Sequence, residues 1–204
     1  MKKIIKPNFI SFEGPEASGK SSQIILLKKF FIKNNIPFMI TREPGGTNIA
    51  EKLRKIILTK SYNISTLEEI LLLMAARYNH INNIIKPALK SGKIVITDRF
   101  ADSTFVYQGF VSGFGIDKIK KLHKNLLNNF LPDKTFLFEL KTNEIISRLI
   151  NRNKKNKYDK INKKFHNRVI LGYKKISNNN KRFIKVDGNK NINEIHNFII
   201  KKLI

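Results

Sequence analysis

Near the start of the chain, the string Gly14-Pro-Glu-Ala-Ser-Gly-Lys20-Ser21 follows a short apolar run, Phe9–Phe12, and opens a stretch of helical period near Lys20. A strand that enters a glycine-bounded loop and passes straight into a helix restricts the fold more than any other feature of the sequence. The spacing is G-x-x-x-x-G-K-[S/T], which in this strand–loop–helix setting makes a phosphate cradle. Gly14 and Gly19 admit backbone angles and close approaches that a Cβ would obstruct. The loop amides and the helix N-terminus then face an anion. Lys20 is placed to reach β- and γ-phosphates, and the Ser21 hydroxyl to ligate Mg²⁺. The expected phosphate-binding set is Gly14, Pro15, Glu16, Ala17, Ser18, Gly19, Lys20 and Ser21. The chain is expected to bind a nucleoside triphosphate.

The rest of the chain repeats that strand-to-helix rhythm. Short, nearly continuous apolar runs lie at Phe9–Phe12, Phe38–Thr41, Ile94–Thr97, Thr135–Leu140 and Phe183–Val186. Between and after them come helical stretches at Lys20–Lys33, Thr47–Leu58, Thr66–Lys90, Ile116–Asn129, Thr142–Asn151, Ile161–Ser177 and Ile192–Lys202. Doubly buried strands joined by helices predict a parallel α/β sheet. Pro87 is expected to bend or interrupt the long third helix, because it lacks a backbone donor. The 204 residues fit one domain over 1–204. The one break in composition, about 151–164, is rich in Asn and Lys and is expected to be a mobile lid or loop.

Composition matters for what it excludes. The chain has no cysteine, which removes disulfide scaffolds, Cys-ligated zinc and iron–sulfur clusters, and its four histidines are scattered. No apolar run approaches the ~20 residues that cross a bilayer, and the first residues lack the pattern of a signal peptide. A cytoplasmic protein without a membrane partner is expected. Forty Lys+Arg against fifteen Asp+Glu give a formal charge of +25, which would ordinarily suggest nucleic acid. The excess is mostly Lys, and it travels with Asn and Ile along the whole chain, as drift toward A/T-rich codons would produce. A nucleic-acid partner is therefore not expected, although such a field steers anionic ligands.

Three further strings fall where chemistry belongs. Thr41-Arg42-Glu43-Pro44-Gly45-Gly46-Thr47 sits at the end of the second strand, and ligands of open parallel sheets bind beyond strand C-termini. Arg42 suits phosphate recognition, although an ordinary turn with a surface ion pair fits equally well. Asp98-Arg99-Phe100-Ala-Asp-Ser-Thr104-Phe-Val-Tyr107-Gln108 follows the third strand. There Asp98 can hold a Mg²⁺ shell or orient a nucleophile, while Arg99 adds a fixed cation and Tyr107 an aromatic wall. Arg77 interrupts an apolar helical run and needs a partner.

Taken in order, the strings GPEASGKS, TREPGGT, LMAAR, IKPAL and VITDRFADSTFVYQG closely resemble those of thymidylate kinases. The resemblance implies a P-loop NTPase fold of the nucleoside-monophosphate-kinase type, with a five-stranded parallel sheet flanked by helices and a small lid. It implies transfer of the γ-phosphoryl group of ATP to dTMP with Mg²⁺, and commonly a homodimer. By the same resemblance Glu16 holds the deoxyribose 3′-OH, and Arg42 and Arg99 hold or neutralise the dTMP phosphate. Ser21 and Asp98 hold the metal, and Arg77 and Thr104 hydrogen-bond thymine. Tyr107 crowds the 2′ position, with Gln108 beside it.

The chain also departs from that family. Its lid carries Arg148, Arg152 and Asp159-Lys160-Ile161-Asn162, with Lys160 and Asn162 where relatives have Arg and Glu. Lysine lacks the guanidinium fork, so that exchange is not neutral. With no arginine in the phosphate loop, Arg152 is the first choice for the catalytic lid arginine and Arg148 the second. Leu73 and Met74 stand where many relatives place an aromatic ring under thymine, so apolar contact from these, Phe100 or Phe105 is expected instead. Two alternatives remain on this reading: a P-loop kinase for another nucleotide or a deoxynucleoside, and a nucleic-acid-binding NTPase.

Overall fold

The computed structural model describes residues 8–59, 61–151, 158 and 162–203. Its strands are β1 (Phe9–Glu13), β2 (Phe38–Arg42), β3 (Ile94–Asp98), β4 (Lys134–Glu139) and β5 (Phe183–Asp187). They form one five-stranded sheet, ordered β2-β3-β1-β4-β5, with every pairing parallel. The chain moves outward from β1 to β2, returns through β3 and then crosses to β4. The strand order therefore reverses around β1, and the crevice for a ligand opens beyond the C-termini of β1 and β3.

The helices follow the periodic stretches with shifted ends. They are α1 (Lys20–Lys33), α2 (Asn48–Leu58), α3 (Thr66–His80), α4 (Lys86–Lys90), α5 (Ala101–Thr104), α6 (Ile116–Leu127), α7 (Thr142–Ile150), α8 (Lys163–Ser177) and α9 (Ile192–Leu203). Thr47 is the cap of α2 rather than its first turn, its hydroxyl accepting from the Ala50 amide at 3.0 Å. Asn162 does the same for α8, accepting from Phe165 at 3.1 Å. Pro87 does not break the long helix. A wide π turn, Ile81–Ile85, links α3 to α4, with the Lys86 amide bonded to Ile81. That turn relieves the missing donor and the ring clash of a proline one residue later. A second π turn, Phe105–Val111, extends α5 and was not expected from the sequence.

Pleating sorts the strands onto two cores. Ile10 and Phe12, with Ile94, Ile96, Phe136 and Phe138, pack under α1 and α9. Phe9, Val95 and Leu137 pack under the opposite layer of α3, α6 and α8. Residues on one strand alternate between faces, so Ser11 and Glu13 join Phe9, Thr97 joins Val95 and Thr135 joins Leu137. All four polar side chains are buried. The buried polar side chains of the strands are thus confined to one face of the sheet, whereas Arg42 and Asp98, at the ends of β2 and β3, alternate onto the other face beside α1. No described helix is long and apolar enough to cross a membrane.

Candidate active site

The loop between β1 and α1 has the backbone its glycines require. Gly14 has φ +137°, and a Cβ there would lie 2.5 Å from the Phe138 carbonyl oxygen. Gly19 caps α1 in the left-handed region, at φ 95°. The Lys20 ammonium is buried and folds back over the loop. It donates to the carbonyls of Gly14 (3.2 Å) and Pro15 (2.7 Å) and to Ser18 Oγ (3.1 Å). Burial, reinforced by the Arg99 charge, pushes it down to about 8. The carbonyls it holds occupy its donors where phosphate oxygens would take them.

β3 delivers its last residue beside that loop. Asp98 Oδ2 accepts from Ser21 Oγ at 3.0 Å. Among the described residues no three His, Cys, Asp or Glu side chains gather as a metal cage. A hydroxyl and a carboxylate oxygen nonetheless suit Mg²⁺, which is usually held by one or two protein oxygens together with substrate phosphates. The residues present fit the ion.

Arg99 follows in the left-handed conformation, φ 70°, an unusual state for a side-chain-bearing residue that the surrounding structure must enforce. Its Nη2 donates to Glu16 Oε1 at 3.1 Å, and its Nη1 to Ser103 Oγ at 3.0 Å and Tyr173 Oη at 3.2 Å. The Tyr107 hydroxyl bonds both Glu16 oxygens at 2.8 Å. Burial pushes that phenol well above its usual range, so it stays a donor. Arg42 lines the same cleft, its guanidinium paired with Glu51 at 2.9 Å and its side chain 55% exposed.

The inner end of the cleft is built on α3. Arg77, 2% exposed, donates from Nε to Glu43 Oε2 (2.7 Å) and from Nη2 to Thr104 Oγ1 (2.8 Å). Its Nη1 is buried with no partner among the described residues. Glu43 also meets His80 Nδ1 at 3.0 Å, and His80 Nε2 meets Thr41 Oγ1 at 2.7 Å. Burial alone would raise the Glu43 carboxyl, but Arg77 and His80 outweigh it and hold it below the usual range. Gln108 Nε2 bonds Glu69 (3.0 Å) and the Tyr158 hydroxyl (3.1 Å), and Tyr158 also bonds Glu69.

Glu16, Lys20, Ser21, Arg42, Arg77, Asp98, Arg99, Thr104, Tyr107 and Gln108 therefore line one cleft, as does Ala17 from the phosphate loop. Leu73 and Phe100 line it too, with the Arg77 Cζ 5.2 Å from the Phe100 ring centre. Met74 and Phe105 belong to the core instead, which corrects their expected place under a base. Arg148 is tied to the Ala17 carbonyl (3.2 Å) and the Gly188 carbonyl (3.0 Å), at the flank of the loop. Arg152, Asp159, Lys160, Ile161 and most of the expected lid lie outside the described residues.

Sequence reasoning missed several residues. Arg54, whose Nη1 donates to the Pro44 carbonyl at 2.7 Å, lines the cleft beside Arg42. It sits among lysines on a helix that reads as solvated surface. Its one signal is its spacing from Glu51, a turn earlier on the helix that follows the Pro-Gly-Gly string. Glu13, Ser103 and Tyr173, behind Arg99, were also missed.

A family model described as thymidylate kinase matches residues 12–199. The chain is 40% identical over 200 residues to a thymidylate kinase of Mycoplasma capricolum, covering 96% of this chain and 94% of that one. It is 39% identical over 205 residues to one of Rickettsia bellii, covering 100% and 98%. The crystal structure of an Ehrlichia chaffeensis thymidylate kinase superposes with a TM-score of 0.76 at 33% identity, over 97% of this chain and 98% of that one.

Proposed function

The chain belongs to the thymidylate kinase family, and from that premise we propose how its residues carry the family's reaction. The enzyme phosphorylates dTMP to dTDP, a step of dTTP synthesis, with ATP as donor. A phosphate oxygen of dTMP attacks the γ-phosphorus, the bond to the bridging oxygen breaks, and ADP leaves. That oxygen is largely deprotonated at neutral pH, so no strong base is required. The protein's share is alignment and cancellation of charge.

In this reading Gly14, Pro15, Glu16, Ala17, Ser18, Gly19, Lys20 and Ser21 receive the ATP phosphates, and Lys20 exchanges loop carbonyls for β- and γ-oxygens. Ser21 and Asp98 would hold Mg²⁺, which when bound would supply positive charge to the ATP phosphates. Arg99, with Arg42 and Arg54 at the rim, receives the dTMP phosphate. Glu16 takes the 3′-OH, and the Tyr107 ring, fixed by Glu16, closes the space a 2′-OH would need. Gln108 stands beside it at the cleft wall. Arg152 remains the first choice for the lid arginine, with Arg148 supporting the loop at Ala17. We read the chain as one domain whose lid is about 151–164.

The observation that carries the reading is the unpartnered Arg77 Nη1, buried in the same cleft as the phosphate loop. A fixed donor there suits the O4 carbonyl of thymine and opposes the amino group of cytosine, with Thr104 beside it and Leu73 and Phe100 as apolar contact. A homodimer is supported by α3, which exposes Leu67, Leu71 and Tyr78 (48%, 52% and 59%). At steps of four and seven residues they share one helix face. The test supplies Mg²⁺-ATP with dTMP, dUMP, UMP, dCMP, AMP or GMP and follows ADP and the diphosphate product. Strong preference for dTMP is expected. Preference for dCMP or a purine would overturn the roles given to Arg77 and Thr104.

A further inference from the structure

Glu13 ends β1 one residue before the phosphate loop and is fully buried. Pleating turns it toward α5 and α8, away from the loop, and the roles proposed above do not use it. Oε1 accepts from the Phe100 amide at 2.7 Å, and Oε2 from Ser103 Oγ at 2.6 Å and Tyr173 Oη at 2.8 Å. Those two hydroxyls are the ones that receive Arg99 Nη1, at 3.0 and 3.2 Å. Each hydroxyl has one proton. An ionised carboxylate only accepts, so both protons point at Glu13 and both oxygens turn their lone pairs to Arg99.

We propose that Glu13 is a positioning residue for phosphoryl transfer, holding Arg99 through the hydroxyls of Ser103 and Tyr173. The inference rests on the reading that Arg99 acts at the transferring phosphate. The clamp explains how a residue at φ 70° keeps one orientation: Glu16 fixes Nη2, and the Glu13 relay fixes Nη1. It also makes the site sensitive to protonation. A protonated Glu13 must donate to one hydroxyl, whose own proton then faces the guanidinium or the other hydroxyl. The first arrangement turns a proton against Arg99. The second, across the 3.0 Å between the two hydroxyls, spends a lone pair of one of them. Both remove the carboxylate charge that polarises the hydroxyls toward Arg99.

Several charged or titratable groups face Glu13. Arg99 comes from the end of β3, Asp102 from α5, Tyr173 from α8 and Lys20 from α1, and Arg182 stands behind Asp102 at 2.7 Å. Burial and the Asp102 carboxylate push Glu13 up to about 7, against the pull of Arg99 and the hydrogen bonds from Ser103 and Phe100. The relay is therefore set above that pH and lost below it.

The experiment measures kcat and KM for dTMP across pH 6 to 9 in the wild type, Glu13→Gln, Glu13→Asp, Tyr173→Phe, the Glu13→Gln/Tyr173→Phe double variant and Arg99→Ala. A misplacement of about 1 Å costs on the order of 100-fold, so Glu13→Gln is expected to lower kcat by about 10- to 100-fold with a smaller change in KM. It should lack the rise in kcat through about pH 7 that the wild type shows. Glu13→Asp, which keeps the charge, should restore that rise. The double variant should fall little below Glu13→Gln, because the two act through one relay. Unchanged kcat and pH profile in Glu13→Gln, alongside a collapse in Arg99→Ala, overturns the relay and leaves the reading of Arg99 intact. Full activity in Arg99→Ala overturns both. If Glu13→Gln does not fold, Tyr173→Phe decides: a fall in kcat at steady KM supports the relay, and an unchanged kcat refutes it.

Discussion

Replacing Glu43 by Gln isolates one charge in the inner cleft. Glutamine has the same shape, and its carbonyl can still accept from Arg77 Nε. Its amide can donate to His80 Nδ1 if His80 turns its own proton toward Thr41. What is lost is the negative charge opposing a guanidinium that is 2% exposed, at a contact of 2.7 Å. Removing one partner of a buried pair costs about 3–5 kcal/mol, since the other charge stays out of water. A chain of this size loses about 2–4 °C in Tm per kcal/mol, so Tm should fall by roughly 6–20 °C. Total stability is about 5–15 kcal/mol, and the variant should still fold. Arg77 would hold its Nη1 less firmly toward the base, raising KM for dTMP about tenfold, the worth of one weak charged hydrogen bond. The effect also has a pH signature. The Glu43 carboxyl lies below its unfolded range, so its contribution is present above about pH 4.3 and fades as pH falls below that. The wild type should lose this increment on acidification and Glu43→Gln should not. Urea unfolding at pH 7 and pH 4 measures both; a difference at pH 7 within about 1 kcal/mol refutes the argument that the pair is desolvated.

Lys20, pushed down to about 8, should regain its proton when phosphates replace the loop carbonyls. Calorimetry of ADP binding at pH 8, in buffers of different ionisation enthalpy, should show about half a proton taken up, and Lys20→Ala should lose both that uptake and phosphoryl transfer. His123, which burial pushes down to about 4, bonds the Phe130 carbonyl through Nε2 at 2.9 Å. Its proton is bound by the unfolded chain below about pH 6.5, so stability should fall by about 2 kcal/mol between pH 8 and pH 5. His123→Phe should flatten that slope in urea titrations, and an unchanged slope would assign the acid sensitivity elsewhere. Leu71→Glu should shift sedimentation toward the monomer while preserving the fold; an unchanged sedimentation profile would remove the α3 stripe from the dimer contact.

The sheet and the loop were legible because each rests on local chemistry. Five apolar runs, a glycine-bounded loop and capped helices specify their own backbone, and only element ends moved by a residue or two. Arg77 was legible as a charge on an apolar helix in need of a partner, but a snorkelling surface arginine fitted that pattern equally well, and nothing in it pointed to Glu43. In the sequence Glu43, at the end of the second strand, points toward the site region, but a surface ion pair beside a turn fits equally well. Its burial depends on His80, 37 positions away, and on the α3 contact. The turn after Phe105 was illegible for a different reason. A run such as Phe-Val-Tyr-Gln-Gly-Phe-Val has neither a strand period nor a 3.6-residue one, and a π turn spaces side chains at neither interval.

Glu13 marks the limit most sharply. Alternation alone puts Ser11 and Glu13 on one face of β1 with Phe9, but it does not say which helices cover that face or what lies opposite. That one face carries Ser11 and Glu13 toward Thr97, Thr135 and Tyr173 emerges only when the register of β1 against β3 and β4 is known. The reason so many charges tolerate burial there is also a matter of arrangement. Isolated, Glu13, Glu16, Lys20, Glu43, Arg77 and Arg99 would each be costly to desolvate. Lys20 is held instead by the loop carbonyls and Ser18, and the other five sit in two sets, Glu13–Arg99–Glu16 and Glu43–Arg77–Thr104, in which the acidic and basic groups offset one another through direct bonds or shared hydroxyls. Donors fixed before the substrate arrives need not reorganise as charge moves during transfer, which is where such groups contribute most to rate. The stability cost of burying them and the catalytic benefit thus follow from the same geometry. Variants that relax one set should therefore disturb stability and turnover together, whereas a substitution in the opposite core under α1 and α9 should disturb stability alone.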